Sequence, residues 1–176
     1  ELHFSGDIER VQRLADDALA MARRVGDDAA LNEVLVLRLA ALRFPGLVEV
    51  RRSDAIELHR MALADDDVPN AFMATYRRID AEIELANGEA ARTAAALLEE
   101  LYARNPTPFL QLMLYRVRTD IAWLDGNLER ALHLLDEGWE QSVAFGHAPA
   151  RLAARVGLGE KILGALGRNE DVIEVW

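Results

Sequence analysis

Two stretches decide the fold: Asn87-Gly88-Glu89-Ala90-Ala91-Arg92-Thr93-Ala94-Ala95-Ala96-Leu97, and Asp125-Gly126-Asn127-Leu128-Glu129-Arg130-Ala131-Leu132-His133-Leu134-Leu135. With Gly88 set on Gly126, Thr93 falls on Ala131 and Leu97 on Leu135. Each stretch is of helix length, and self-similarity at a period near 40 marks units that bury their apolar faces only by stacking on one another. The expectation is an all-α, right-handed α-solenoid of antiparallel helix pairs with a period of about 40, residues 1–176 forming a single repeat domain.

Working outward, Asp7 caps a helix that runs to Gly26 with Ile8, Val11, Leu14, Ala15, Ala18, Leu19 and Ala22 on one face. Asp27 and Asp28 cap a second, apolar nearly all round to Phe44, which calls for cover on both sides. A third helix spans Val50 to Ala64, and a fourth runs from Pro69 to Ala86. Glu89 to Arg104 forms the fifth. Thr107-Pro108 is an N-cap followed by proline at the first helical position and opens the sixth, Asn127 caps the seventh, and Pro149 starts an eighth reaching Leu166. Gly167-Arg168-Asn169 turns into a truncated ninth. The turn glycines Gly46, Gly88, Gly126 and Gly167 recur at a spacing of about 40. The predicted core is Leu35, Ile79, Ile83, Leu97, Leu114, Val117, Leu135 and Trp139.

Composition agrees: 51% of residues are apolar, only 6% aromatic, and Ala and Leu dominate, the make-up of helix formers. A net charge of −10 without a basic patch opposes direct nucleic-acid or anionic-membrane binding. The absence of cysteine removes disulfides, Fe–S clusters and thiolate catalysis and fits a cytoplasmic protein. The chain opens on Glu1 and reads as a piece of something larger. No membrane span is expected.

No reaction is announced. Gly157-Leu158-Gly159-Glu160-Lys161 lacks the spacing and hydroxyl of a P-loop. His3, His59, His133 and His147 stand in separate segments, and His59 and His133 read as packing or surface residues. Asp65, Asp66 and Asp67 read as a solvated helix terminus rather than a calcium loop. No cofactor, metal or catalytic residue is expected. One constellation invites a ligand: Arg38, Arg78, Arg116 and Arg155, one in each even-numbered helix, again at a spacing of about 40. Such a guanidinium ladder suits a carboxylate or phosphate, so an acidic peptide segment or a small anionic effector. The competing reading is helix wiring, since Glu82 and Asp120 follow Arg78 and Arg116 at the i,i+4 position, pairs that contribute about 0.2 to 0.5 kcal/mol each.

Tetratricopeptide units place a turn glycine, then a small residue five on, an apolar one nine on and a small one twelve on. Gly126, Ala131, Leu135 and Gly138 follow that pattern; Gly88, Thr93 and Leu97 follow it until Glu100. Three stretches resemble the repeat region of large bacterial ATP-binding transcriptional regulators of the LuxR family: Ala22 to Leu31, Glu84 to Gly88, and Leu124 to Ala131. The resemblance implies a non-catalytic scaffold or sensor that engages a protein or peptide, including its own flanking domains. Such repeats also accompany nucleotide cyclases, and an enzyme with its site in the concave groove is the other alternative. Leu2, Phe4, Val172, Ile173, Val175 and Trp176 belong to cut ends and predict self-association.

Overall fold

The computed structural model describes residues 7–44, 46–146 and 148–171, with side chains described outside 148–155 and 169. The end residues Leu2, Phe4, Val172, Ile173, Val175 and Trp176, and with them the self-association expectation, lie outside the described residues. All described secondary structure is helical: α1 Ile8–Val25, α2 Asp28–Ala41, α3 Val48–Ala64, α4 Val68–Glu84, α5 Gly88–Arg104, α6 Pro108–Leu124, α7 Leu128–Ala144 and α8 Ala148–Ala165, then a 3₁₀ turn at Asn169–Asp171. No described helix is long and apolar enough to cross a membrane.

The helices begin at Ile8, Asp28, Val48, Val68, Gly88, Pro108, Leu128 and Ala148, a constant interval from each start to the next. The chemistry of the turns explains that regularity. Six capping side chains, Asp7, Asp27, Asp67, Asn87, Thr107 and Asn127, each accept a hydrogen bond from a backbone N–H in the first turn of the following helix. Among the described residues, Leu47, at the corresponding place before α3, is the exception and caps nothing. The residue just ahead of the cap repeatedly takes a left-handed conformation: Gly26, Gly46, Asp66, Ala86, Gly126 and Gly146 all have φ between 56° and 86°. Ahead of α6 the corresponding residue is Pro106, whose ring forbids positive φ.

This register corrects the overlay of Gly88 on Gly126. Gly88 is the first residue of α5, not the turn residue, and Asn87 corresponds to Asn127, the residue that likewise precedes its helix. Ala91 therefore takes the place of Ala131, and both are fully buried, whereas Thr93 is exposed and Leu97 half-buried beside the buried Leu98. Leu35, Ile79, Leu114, Val117 and Leu135 are core as predicted. Ile83 and Trp139 are only half-buried, each standing just past an inward position, filled by Glu82 and Gly138. Boundaries also shift: α2 stops at Ala41, short of Phe44, and α3 begins at Val48, ahead of Val50.

The chain divides into two compact units, Glu1–Leu101 and Tyr102–Trp176. In the first, α1 packs on α2, α2 on α3 and α3 on α4. Leu35, Leu39, Ala55, Leu58, Met61 and Ala74 make its central cluster, with Leu19 and Leu31 against it. Each leucine so buried contributes about 1.5 to 3 kcal/mol. In the second unit α6 packs on α7 and α7 on α8, closing Ala122, Ala131, Leu134, Leu135 and Ile162 into a core flanked by Tyr115, Leu158 and Leu166. The expected cover on both sides of α2 is not found: Leu37 is 67% exposed and Val36 38%.

Candidate functional site

The helix register sorts the four arginines. Arg38 and Arg78 both stand eleventh in their helices, but Arg116 is ninth and Arg155 eighth. At about 3.6 residues per turn, that offset displaces Arg116 about 200° around the helix from the row of Arg78. The residue of α6 in that row is Arg118, whose guanidinium lies 6.0 Å from the Tyr115 ring centroid. The side chain of Arg155 lies outside the described residues.

Arg38 is buried, and its Nε donates to Asp54 Oδ2 at 2.9 Å while Nη1 donates to Asp16 Oδ1 at 2.8 Å. One guanidinium thus ties α2 to α3 and α1. Burial by itself would lower the Arg38 pKa, but the hydrogen bond to Asp16 and the charge and hydrogen bond of Asp54 outweigh it and raise the value. For Asp54 the balance is reversed: burial pushes its carboxyl above the usual range despite the adjacent Arg38 charge. At the rim, Arg23 donates to Glu57 at 2.7 Å.

Arg78 is half-exposed, and its Nε donates to Glu82 Oε1 at 3.4 Å. Glu82 is fully buried and also accepts from Arg52 Nε at 2.9 Å and from Asn87 Nδ2 at 3.1 Å. A single carboxylate so joins α3, α4 and the cap of α5. Next to it Arg51 donates to Glu84, leaving its buried Nε without a partner. In the second unit Arg116 Nε donates to Asp120 Oδ2 at 2.7 Å. The i,i+4 pairs were legible in sequence, while Glu82 and Asp54 were missed as network centres. Glu82 had a signal: it continues the inward row Phe72, Thr75, Ile79 at spacings of three and four.

The other polar candidates have local roles. His59 Nδ1 lies 2.9 Å from Thr75 Oγ1, which itself donates to the Ala71 carbonyl at 2.8 Å. With the hydroxyl proton so used, the imidazole Nδ1–H is the donor of that pair. His133 is exposed. Of the three aspartates, Asp66 takes the left-handed turn position and Asp67 caps α4.

One concavity of the first unit is lined by Asn32, Glu33, Val36 and Leu37 of α2 and Asn70 of α4, an open groove of about 300 Å³. Asn32 Oδ1 is buried without a hydrogen-bond partner. Asn70 Nδ2 donates to Asp67 Oδ2 at 2.7 Å, which leaves its carbonyl oxygen as the acceptor end. No protein-family model matches the chain, and no curated protein is significantly similar to it.

Proposed function

We propose that the chain is a non-catalytic scaffold or sensor region built as a right-handed, tetratricopeptide-like solenoid, part of a multidomain bacterial transcriptional regulator of the LuxR type. The observation that carries the scaffold reading is the constant interval between helix starts, with cap and left-handed turn repeating in step. Regularity of that kind is how helix pairs stack into a binding surface, and catalysis has no need of it. The charged side chains described as buried in the first unit, Arg38, Arg51, Asp54 and Glu82, serve as ties between helices and turns. Binding of a protein segment is the activity such a surface supports best.

The regulator reading rests on the resemblance of Ala22 to Leu31, Glu84 to Gly88 and Leu124 to Ala131. Reading the coding sequence on both sides of residues 1–176 tests it. A nucleotide-binding ATPase domain upstream and a helix-turn-helix downstream are the expected result. A cyclase domain in place of either moves the output to another signalling protein, and flanks that encode no effector domain refute the reading.

A further inference from the structure

We propose that the α2–α4 groove of the first unit docks a short segment of a partner protein in which a lysine or arginine stands beside an apolar side chain. The proposal deepens the scaffold reading and rests on it. It starts from a mismatch in the repeat. Asn32 stands where α4 carries Phe72 and α6 carries Leu112, both fully buried, so a carboxamide occupies a position that the other two helices give to the core. Its Oδ1 is held from water without a donor, an arrangement that is costly to keep. The terminal torsion of asparagine is soft, and Asn32 lines the groove, so a donor seated there can claim that oxygen.

The rest of the lining agrees on the sign of the ligand. Glu33 brings a carboxylate that forms no ion pair among the described residues, and the free end of Asn70 is an acceptor. None of the five lining residues is a cation. The carboxamides of Asn32 and Asn70 can serve either sign, but Glu33 carries the one formal charge of the lining, so it selects a cationic donor that the Asn32 oxygen can also meet, and it repels a phosphate or carboxylate. Val36 and Leu37 supply the second half of the requirement. Leu37 is among the most exposed large apolar side chains described, and only an apolar contact from the ligand takes it out of water. A lysine or arginine stem followed by an apolar side chain meets both demands within one short stretch of chain.

The test is chemical-shift mapping on the whole chain, using two blocked pentapeptides, GLRLG and GLELG, as probes. GLRLG is expected to shift the Asn32 and Asn70 side-chain amides and the Leu37 methyls saturably, while GLELG leaves them in place. Glu33→Gln, an exposed change that leaves helicity intact, is expected to weaken GLRLG roughly two- to fivefold, the range of one half-exposed ion pair. Leu37→Ser is expected to remove the saturable shifts. Equal binding of the two peptides, an affinity unchanged by Glu33→Gln, or no response to GLRLG overturns the proposal. Shifts that map to another surface overturn it too, but leave the scaffold reading standing.

Discussion

Replacing Arg38 by methionine tests a place in the first unit where both members of an ion pair are withdrawn from water. Arg38 and Asp54 have side chains only 4% and 7% exposed, whereas the third member, Asp16, is 55% exposed and returns to solvent at little cost. Methionine keeps most of the arginine stem, so the change removes the charge without opening a large cavity. What remains is a buried aspartate with no cation beside it. Breaking a buried pair in this way costs about 3 to 5 kcal/mol. Protonation of Asp54 sets a ceiling: its ordinary value is 3.8, and at about 1.36 kcal/mol per pH unit, neutralising it at pH 7 costs about 4 kcal/mol. The expected loss at pH 7 is therefore about 3 to 4 kcal/mol.

The pH dependence gives the sign. Burial already raises the folded-state value of Asp54 above its unfolded one, so the folded chain binds this proton more readily. The stability it contributes is fully present below 3.8 and is lost as pH rises through the folded value. Without Arg38 that folded value rises further, so the penalty of Arg38→Met shrinks as the solution is acidified. Adding Asp54→Ala recovers most of the loss at pH 7, because α5 already accommodates a fully buried alanine, Ala94, at the corresponding place. Urea unfolding followed by far-ultraviolet circular dichroism at pH 4.5 and 7 measures the effect. Hydrogen exchange at the Leu39 and Leu58 amides places it in the first unit. An equal penalty at both pH values, or a double variant less stable than Arg38→Met, refutes the reasoning.

Three further changes test the register and the second buried carboxylate. Ala86→Gly is expected to stabilise by about 0.5 to 1 kcal/mol, since Ala86 carries φ 56°, and Gly126→Ala to destabilise by about 1 to 2 kcal/mol, both read by thermal unfolding. Ala91→Leu and Ala131→Leu are each expected to overpack by about 1 to 3 kcal/mol, while the exposed Thr93→Leu stays within about 0.5 kcal/mol. A larger effect at Thr93 than at Ala91 restores the overlay of Gly88 on Gly126. Glu82→Gln is expected to cost about 2 kcal/mol in urea unfolding, because an amide NH₂ then faces the Arg52 and Arg78 donors. Glu82→Leu is the milder change, as both arginines are about one-third exposed and can turn to water.

Much of the fold was legible because helix punctuation is local chemistry. Asp7, Asp27, Thr107 and Asn127 could each be read as a cap from a few neighbours, and each does cap. The error in period had a physical source. Glycine is the residue that signals a left-handed turn, so Gly88 and Gly126 invited alignment, yet at the first of these turns the left-handed residue is Ala86. An alanine at positive φ is placed there by the packing of α4 and by the cap that follows, and propensity does not announce it. Counting caps instead of glycines recovers the spacing: Asp7, Asp27, Asp67, Asn87, Thr107 and Asn127 all fall on one regular grid.

The arginines were harder to read because their meaning depends on which helix faces they share. A small offset in the overlay is invisible in composition and spacing but carries a side chain to the opposite face of a helix. It put Arg116, not Arg118, beside Arg78 in the supposed row. The partners were non-local as well: Asp16 and Asp54 are 22 and 16 residues from Arg38, and Arg52 is 30 from Glu82. A polar residue inside an apolar stripe is the trace such ties leave in sequence. Glu82 leaves it in the row Phe72, Thr75, Ile79, and Asn32 leaves it where α4 and α6 carry Phe72 and Leu112. The difference between the two is in the donors: Glu82 is met by three from within the chain, while Asn32 Oδ1 is met by none. Glu82 thus ties helices to one another, whereas Asn32 Oδ1 is the acceptor that the proposed lysine- or arginine-bearing segment would meet.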